Sequence, residues 1–330
     1  MQYIRLGERG PQVSRIAFGN WAAGGDWGSV DRDAAIAAAR EALALGITLF
    51  DTAHAYGFGA AEAVLGEALG PEIRSARDSV VIATKGGLRN VDGQPVRDSS
   101  PDALRRDLES SLRALGTDYV DIYQVHWPDP ATPITTTAET LDGFVREGLV
   151  RAVGVSNYDP AQMTTFQQVR PIDTLQPPYH LFRREIERTI LPFAREHGIG
   201  VLVYGPLAHG LLSGRMTEDT SFAADDWRSK SDLFAGEAFR RNLAVVNDLS
   251  AFAASRGATV AQLAIAWTLA NPAVDVAIVG ARNPEQIRGS AVAADLSLSP
   301  DDLAQIALIL RGEVAVGGPT PEAMPKESSR

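Results

Sequence analysis

Short runs of β-branched and aromatic residues alternate along this chain with longer stretches of helical period. The runs fall at 16–20 (IAFGN), 48–53 (TLFDTA), 80–86 (VVIATKG), 120–127 (VDIYQVHW), 152–157 (AVGVSN), 173–177 (DTLQP), 201–206 (VLVYGP) and 276–281 (VAIVGA). Several are apolar almost throughout, as parallel strands covered on both faces must be. Between them the period lengthens. In 101–115, Leu104, Leu108, Leu112 and Leu115 recur at spacings that put them on one helix face, with Ser100 as a candidate cap and Pro101 at the first helical position. Segments 31–45, 136–147, 186–197 and 259–270 read as helices of the same kind. Eight strands alternating with helices allow a closed (β/α)8 barrel or an open doubly wound sheet. The count of eight favours the barrel, and so does the lack of a G-x-G-x-x-G after the first strand, since Gly57-Phe58-Gly59 lacks the third glycine. No low-complexity linker divides the chain, so one α/β barrel domain over residues 1–330 is expected.

Two segments interrupt the rhythm. Residues 207–236 are polar and glycine-dotted, the mark of a lid or binding loop in a compact enzyme. The tail 312–330 is rich in Pro, Gly and charge, and reads as a frayed terminus or a flexible cover over the active mouth.

Composition narrows the class. The 330 residues are 45% hydrophobic, which is too apolar for a disordered chain, and no run reaches the ~18 apolar residues of a spanning helix. The opening MQYIRLGERGPQVSR lacks the pattern of a secretory signal, so a soluble, cytoplasmic protein is expected. With 31 basic against 41 acidic residues the net charge is −10, which disfavours nucleic acid and anionic membrane as partners. There is no cysteine, which removes disulfides, thiolate metal sites and a cysteine nucleophile. The histidines lack metal-ligand spacing, and no metal is expected.

In a barrel the reacting groups stand at the C-terminal ends of strands. The second run delivers Asp51, with Tyr56 in the loop that follows. The third delivers Lys85 and the fourth His126. A phenol with an ordinary pKa of about 10 becomes a better acid beside an ammonium, which favours the phenolate. Lys85 is placed to do this, Asp51 to balance the buried lysine, and His126 to orient a carbonyl oxygen toward Tyr56. The set suits carbonyl reduction, but it holds no hydride, so a nicotinamide cofactor is required. The plainer alternative is a structural Asp51–Lys85 ion pair with Tyr56 and His126 as satisfied core polar groups. Convergence of all four at adjacent strand ends favours the catalytic assignment.

These residues carry a resemblance. GITLFDTAHAYGFGAAEAVLGEAL (46–69), ATKGG around Lys85, QVHWPD around His126 and GLVRAVGVSNY (148–158) resemble the motifs of the aldo-keto reductase superfamily. The likeness continues through YGPLAHGLLSGR (204–215) to VGARNPEQIRGS (279–290). In detail it is nearer to bacterial reductases and members similar to potassium-channel β-subunits than to the mammalian aldose reductase branch. It implies a (β/α)8 barrel with NADP(H) extended across its C-terminal mouth. Tyr56 matches the general acid, with Lys85, Asp51 and His126 as its partners. Ser156, Asn157 and Gln176 match the residues that bind the nicotinamide carboxamide, and Tyr204 matches the stacking ring. Gly205, Pro206, Leu207, Gly210, Leu211 and Arg215 match the start of the pyrophosphate strap.

At the adenine end, Gly280-Ala281-Arg282-Asn283-Pro284 reads as a strand end followed by a helix start, whose free amides favour phosphate. Arg282 suits a 2′-phosphate and no acid occupies 280–284, which favours NADP(H) over NAD(H). Gln286 is retained from the family pattern. Ala61 and Ser290 depart from the family's usual Ser and Asn, and Gly280-Ala281 from the Lys-Ser of the mammalian branch. Trp21, Trp27 and Trp127 follow strand ends and are candidate walls of a pocket for a small-molecule carbonyl substrate. Two rival readings remain open at this point: a redox-sensing regulatory subunit that binds NADP(H) and turns over slowly, and a metal-dependent barrel hydrolase. Oligomeric state is not legible.

Overall fold

The computed structural model describes residues 1–25, 31–92, 94–224 and 226–311. Trp27 and the 312–330 tail lie outside them. An antiparallel hairpin, β1 (Tyr3–Arg5) and β2 (Gln12–Ser14), precedes the barrel. Eight parallel strands then close on themselves: β3 (Ile16–Gly19), β4 (Leu49–Asp51), β5 (Val81–Gly86), β8 (Val120–Val125), β9 (Val150–Ser156), β10 (Thr174–Gln176), β11 (Gly200–Tyr204) and β12 (Val276–Gly280), which pairs back to β3. A second hairpin, β6 (Leu88–Val91) and β7 (Gln94–Arg97), follows β5. The helices are α1 (Arg32–Ala44), α2 (Ala60–Ser75), α3 (Pro101–Leu115), α4 (Ile134–Arg146), α5 (Pro160–Gln167), α6 (Ile190–Glu196), α7 (Gly236–Ser255), α8 (Val260–Ala270), α9 (Pro284–Ala291) and α10 (Pro300–Ile309).

Each expected strand is present; most are trimmed at their ends, whereas β9 and β11 start earlier than expected, at Val150 and Gly200. The run 48–53, for instance, is a strand only over Leu49–Asp51; beyond it Thr52 and His54 still donate to the Ala83 and Lys85 carbonyls of β5 while the chain turns into the loop that carries Tyr56. Along α3, Leu104, Leu108 and Leu115 are buried as their spacing requires. Ser100 occupies the N-cap position but its hydroxyl makes no capping bond, a correction to its expected role. The expected 186–197 helix is α-helical only from Ile190, after a 3₁₀ turn at Glu185–Glu187. Pro192 is the reason: it has no N–H and is tolerated only in a first turn. The 207–236 segment forms short 3₁₀ turns at Ala208–Ser213, Trp227–Lys230 and Asp232–Phe234, then enters α7.

Two apolar layers hold the fold. Inside the barrel, Ala17, Leu49, Val81, Ala83, Ile122, Ala152, Leu202, Val276 and Ile278 form one cluster, which Leu6 and Val13 of the hairpin complete. The hairpin binds the turn that leads into β11, with Glu8 N–H donating to the Gly198 carbonyl at 3.0 Å, so it plugs the N-terminal end. Outside, strand residues such as Phe18, Phe50, Val125 and Val203 pack against the helices. The bottom is therefore sealed, and the mouth at the strand C-termini stays open for chemistry. No helix among the described residues is long and apolar enough to cross a membrane.

Candidate active site

Register places the reacting groups. Gly19 of β3 pairs with Asp51 of β4, and Asp51 with Ala83 of β5, so the ends of β4 and β5 lie side by side at the mouth. Lys85 is completely buried there. Its ammonium donates to Asp51 Oδ1 at 2.7 Å, to the Thr52 carbonyl at 2.7 Å and to the Tyr56 phenol oxygen at 3.4 Å. Three acceptors for three N–H bonds are what a lysine needs to stay charged away from water. Burial nevertheless lowers its pKa from the ordinary lysine value, against the opposing carboxylates of Asp51 and Glu62.

The second oxygen of Asp51 accepts from Gln176 Nε2 at 2.8 Å. Gln176 also donates to Gln124 Oε1 at 2.9 Å, and Gln124 donates to Thr174 Oγ1 at 3.2 Å. This chain of amides runs across the upper barrel and fixes the carboxylate from below. Gln124 and Thr174 were not among the expected site residues. Their signal was the inward alternation of β8 and β10, where a polar residue in an apolar run must find a partner.

His126 follows β8, and its ring meets Tyr56 edge-on with centroids 5.6 Å apart. Burial, and then the charge of Lys85, push its pKa well below the ordinary histidine value, so the imidazole is neutral at neutral pH. Beyond it, Asn157 sits in the left-handed region at φ +63°, which Asn tolerates better than most residues. That conformation lets Nδ2 donate to the His126 carbonyl at 3.1 Å and to Ser156 Oγ at 3.0 Å, while Oδ1 accepts from Tyr204 Oη at 3.0 Å. Ser156 Oγ donates to the Gln176 carbonyl at 2.8 Å. The expected carboxamide-binding trio thus forms one connected set.

A groove of about 1160 Å³ runs over these groups. Tyr56, His126, Trp21 and Trp127 line one part, and Trp21 stacks on Tyr56 with centroids 5.8 Å apart. Ser156, Asn157, Gln176 and Tyr204 line the middle; Gly205, Pro206, Leu207, Gly210, Arg215, Gly280, Ala281, Arg282 and Gln286 continue it. Leu211 is the exception among the expected strap residues, because its side chain is buried in the outer core and does not line the groove. Gln286 Oε1 accepts from the Arg282 backbone N–H at 2.8 Å, and Asn283 caps α9 by accepting from Gln286 N–H at 3.0 Å. Part of that helix end is therefore already satisfied from within, contrary to the free amides expected there.

Two further contributors had escaped the sequence reading. The β6–β7 hairpin brings Leu88, Arg89, Asn90 and Pro95 to the groove, and Arg97 covers the Trp127 ring at 4.9 Å. Its signal was the Asp-Gly turn of NVDGQP. Arg228 of the strap also lines the groove; it is ion-paired to Asp226 and donates to the His209 carbonyl at 3.2 Å, tying two parts of the strap together.

Comparison with known proteins identifies the family. Residues 15–311 match the model of the Aldo/keto reductase family. The chain is 42% identical over 317 residues to aldo-keto reductase YhdN of Bacillus subtilis, covering 96% of this chain and 95% of that one. It is 34% identical over 318 residues to the NADH-specific methylglyoxal reductase of Escherichia coli, covering 92% and 96%. Among solved structures, the glycerol dehydrogenase AKR11B4 from Gluconobacter oxydans superposes with a TM-score of 0.87 at 39% identity, covering 96% of this chain and 98% of that one. A closed eight-stranded barrel, a lysine-backed tyrosine at its mouth and matches over nearly the whole chain lead to one assignment: the protein belongs to the aldo/keto reductase family.

Proposed function

We propose that this protein reduces aldehydes or ketones to alcohols with NADPH, using Tyr56 as the general acid. The observation that carries this reading is the Tyr56 phenol in the groove, backed by a fully buried, triply bonded Lys85 ammonium. A proton donor beneath a large open groove suits a reaction in which a carbonyl oxygen must gain a proton.

The groove fits a nicotinamide dinucleotide. Ser156, Asn157 and Gln176 offer hydroxyl and amide groups for a carboxamide, and Tyr204 offers a ring face beside them. Gly205 and Gly280 line the next stretch. A Cβ at Gly205 would meet nothing within 4 Å, and one at Gly280 only the Gly19 carbonyl at 3.9 Å, so both leave groove space for close approach to a diphosphate. Arg282 and Arg215 supply positive charge there, and Arg282 is the group for a 2′-phosphate. When bound, the reduced nicotinamide supplies hydride to the carbonyl carbon.

The chain's own residues do the rest. Neutral His126 holds the carbonyl oxygen by a hydrogen bond. Tyr56 gives that oxygen its proton, and the Lys85 ammonium stabilises the phenolate left behind. Asp51, held by Gln176, keeps Lys85 charged and in place. Trp21 and Trp127 exclude water and favour small carbonyl compounds with an apolar face. The test is steady-state oxidation of NADPH and of NADH with a panel of aldehydes and ketones. Turnover is expected with a preference for NADPH of about tenfold or more in kcat/KM, the worth of one charged contact to phosphate. Equal use of both cofactors would remove the assignment of Arg282, and no carbonyl reduction with either would overturn the reading itself.

A further inference from the structure

The loop between Asp51 and Tyr56 carries another titratable side chain, His54, to which the reaction described above gives no role. Its imidazole lies between two carboxylates, with Nδ1 3.7 Å from Glu62 Oε2 on α2 and Nε2 3.8 Å from Asp107 Oδ1 on α3. Both acids are buried, Glu62 completely. Their other oxygens hold the end of β5: Glu62 Oε1 accepts from Thr84 Oγ1 at 2.6 Å, and Asp107 Oδ2 accepts from the Gly87 N–H at 2.8 Å. Thr84 and Gly87 bracket Lys85. The backbone of His54 completes the bridge, its N–H donating to the Lys85 carbonyl at 3.0 Å and its carbonyl accepting from the Gly59 N–H at 2.9 Å. The turn that presents Tyr56 and the strand end that presents Lys85 are thus joined through one histidine.

The neighbouring charges all bear on these two acids. From β5, Lys85 interacts with Glu62; from α3 and the segment before it, Arg106 and Asp98 act on Asp107; from β8, the buried Tyr123 phenol lies in the field of both acids and donates to the Leu104 carbonyl at 3.2 Å. The Phe58 ring meets the imidazole edge-on at 6.0 Å. Burial works against charge on His54, but Glu62 and Asp107 outweigh it and raise its pKa above the ordinary histidine value. At 3.7 and 3.8 Å the contacts are Coulombic, too long for hydrogen bonds, and neither His54 Nδ1 nor Glu62 Oε2 has a hydrogen-bond partner among the described residues. An imidazolium attracts both carboxylates. A neutral imidazole carries no charge for either acid, and its single N–H can face only one of them.

We propose that His54 is a positioning residue: its imidazolium clamps α2 and α3 to the strand end and so sets the Tyr56 phenol against the Lys85 ammonium, making turnover depend on the protonation of His54. This rests on Tyr56 being the proton donor. His54 does not line the groove, so cofactor affinity is independent of it.

The experiment compares the wild type with His54→Gln and His54→Leu in NADPH-dependent reduction of 4-nitrobenzaldehyde, from about pH 5.5 to about pH 9, the range in which a perturbed histidine titrates. The wild-type kcat is expected to fall along a limb whose midpoint lies above the free imidazole value of about 6.5. Both variants should lack that limb and lose about tenfold in kcat, on the order expected when a donor is displaced, with NADPH affinity by fluorescence within about twofold. A variant that keeps both the wild-type profile and the wild-type kcat overturns the proposal. A purely structural histidine would change the melting temperature but leave the profile in place. A second measurement covers variants that fail to fold and needs no turnover. In wild-type protein with 13Cζ-labelled tyrosine, the Tyr56 resonance should move with the His54 midpoint. Movement with the phenol's own ionisation alone overturns the coupling, whereas absence of carbonyl reduction with either cofactor overturns the reductase reading.

Discussion

The phenol oxygen of Tyr56 stands 3.4 Å from the ammonium of Lys85, an amine with no solvent exposure. The lysine reaches that position from β5 and the tyrosine from the loop after β4, so the distance is set by strand pairing and by the turn at His54. A charge held in this way keeps a fixed distance from the phenol and is shielded from water.

Tyr56→Phe removes the proposed acid and keeps the ring that stacks on Trp21. Reduction should fall by about 10²- to 10⁴-fold in kcat, the usual contribution of a positioned acid, with NADPH affinity unchanged. Stopped-flow turnover and fluorescence titration read the two quantities separately.

Arg282→Ala tests the adenine end. The Kd for NADPH should rise about tenfold or more while that for NADH stays within about twofold, since only the former carries the 2′-phosphate. Equal weakening of both cofactors would move the phosphate contact to another residue, with Arg215 next in line.

His126 gives a pH dependence with a definite sign. Its folded pKa is depressed by burial and by Lys85, so below about pH 6.5 the unfolded chain takes up a proton that the folded one does not. Stability is therefore lost as pH falls from about 6.5, with a slope approaching 1.4 kcal/mol per pH unit at about one proton. Urea denaturation across this range should show a flatter acid limb for His126→Asn.

Gly154→Ala probes the support beneath the site. A Cβ there would lie 2.1 Å from Thr174 Oγ1 and 2.8 Å from Gln124 Cγ, two members of the chain that holds Asp51 through Gln176. Overpacking of this kind costs about 1–3 kcal/mol, and here it should also lower kcat, because the displaced amides carry the carboxylate that orders Lys85. Wild-type kcat in a destabilised variant would show that the amide chain is scaffolding alone.

Much of this was legible in the order of residues. A parallel strand buried on both faces must be apolar almost throughout, so eight such runs announce the barrel; charged or polar groups at their ends stand out against that background, as Asp51, Lys85 and His126 do. What one-dimensional order could not supply is azimuth and register. Leu211 turned into the core although Gly210 before it faces the groove, and the helix end at Asn283 proved partly satisfied by Gln286, because side-chain direction depends on local dihedrals that composition does not encode. Gln124 and Thr174 support Asp51 through Gln176, and Asp107 faces His54, from strands and a helix far apart in the chain, and only closure of the barrel brings them within a few ångströms. The order of residues fixes which chemistry is available, since residue types set donors, acceptors and charges. Which of those groups touch is fixed by folding, because Coulombic and hydrogen-bond energies depend on distances that packing alone establishes.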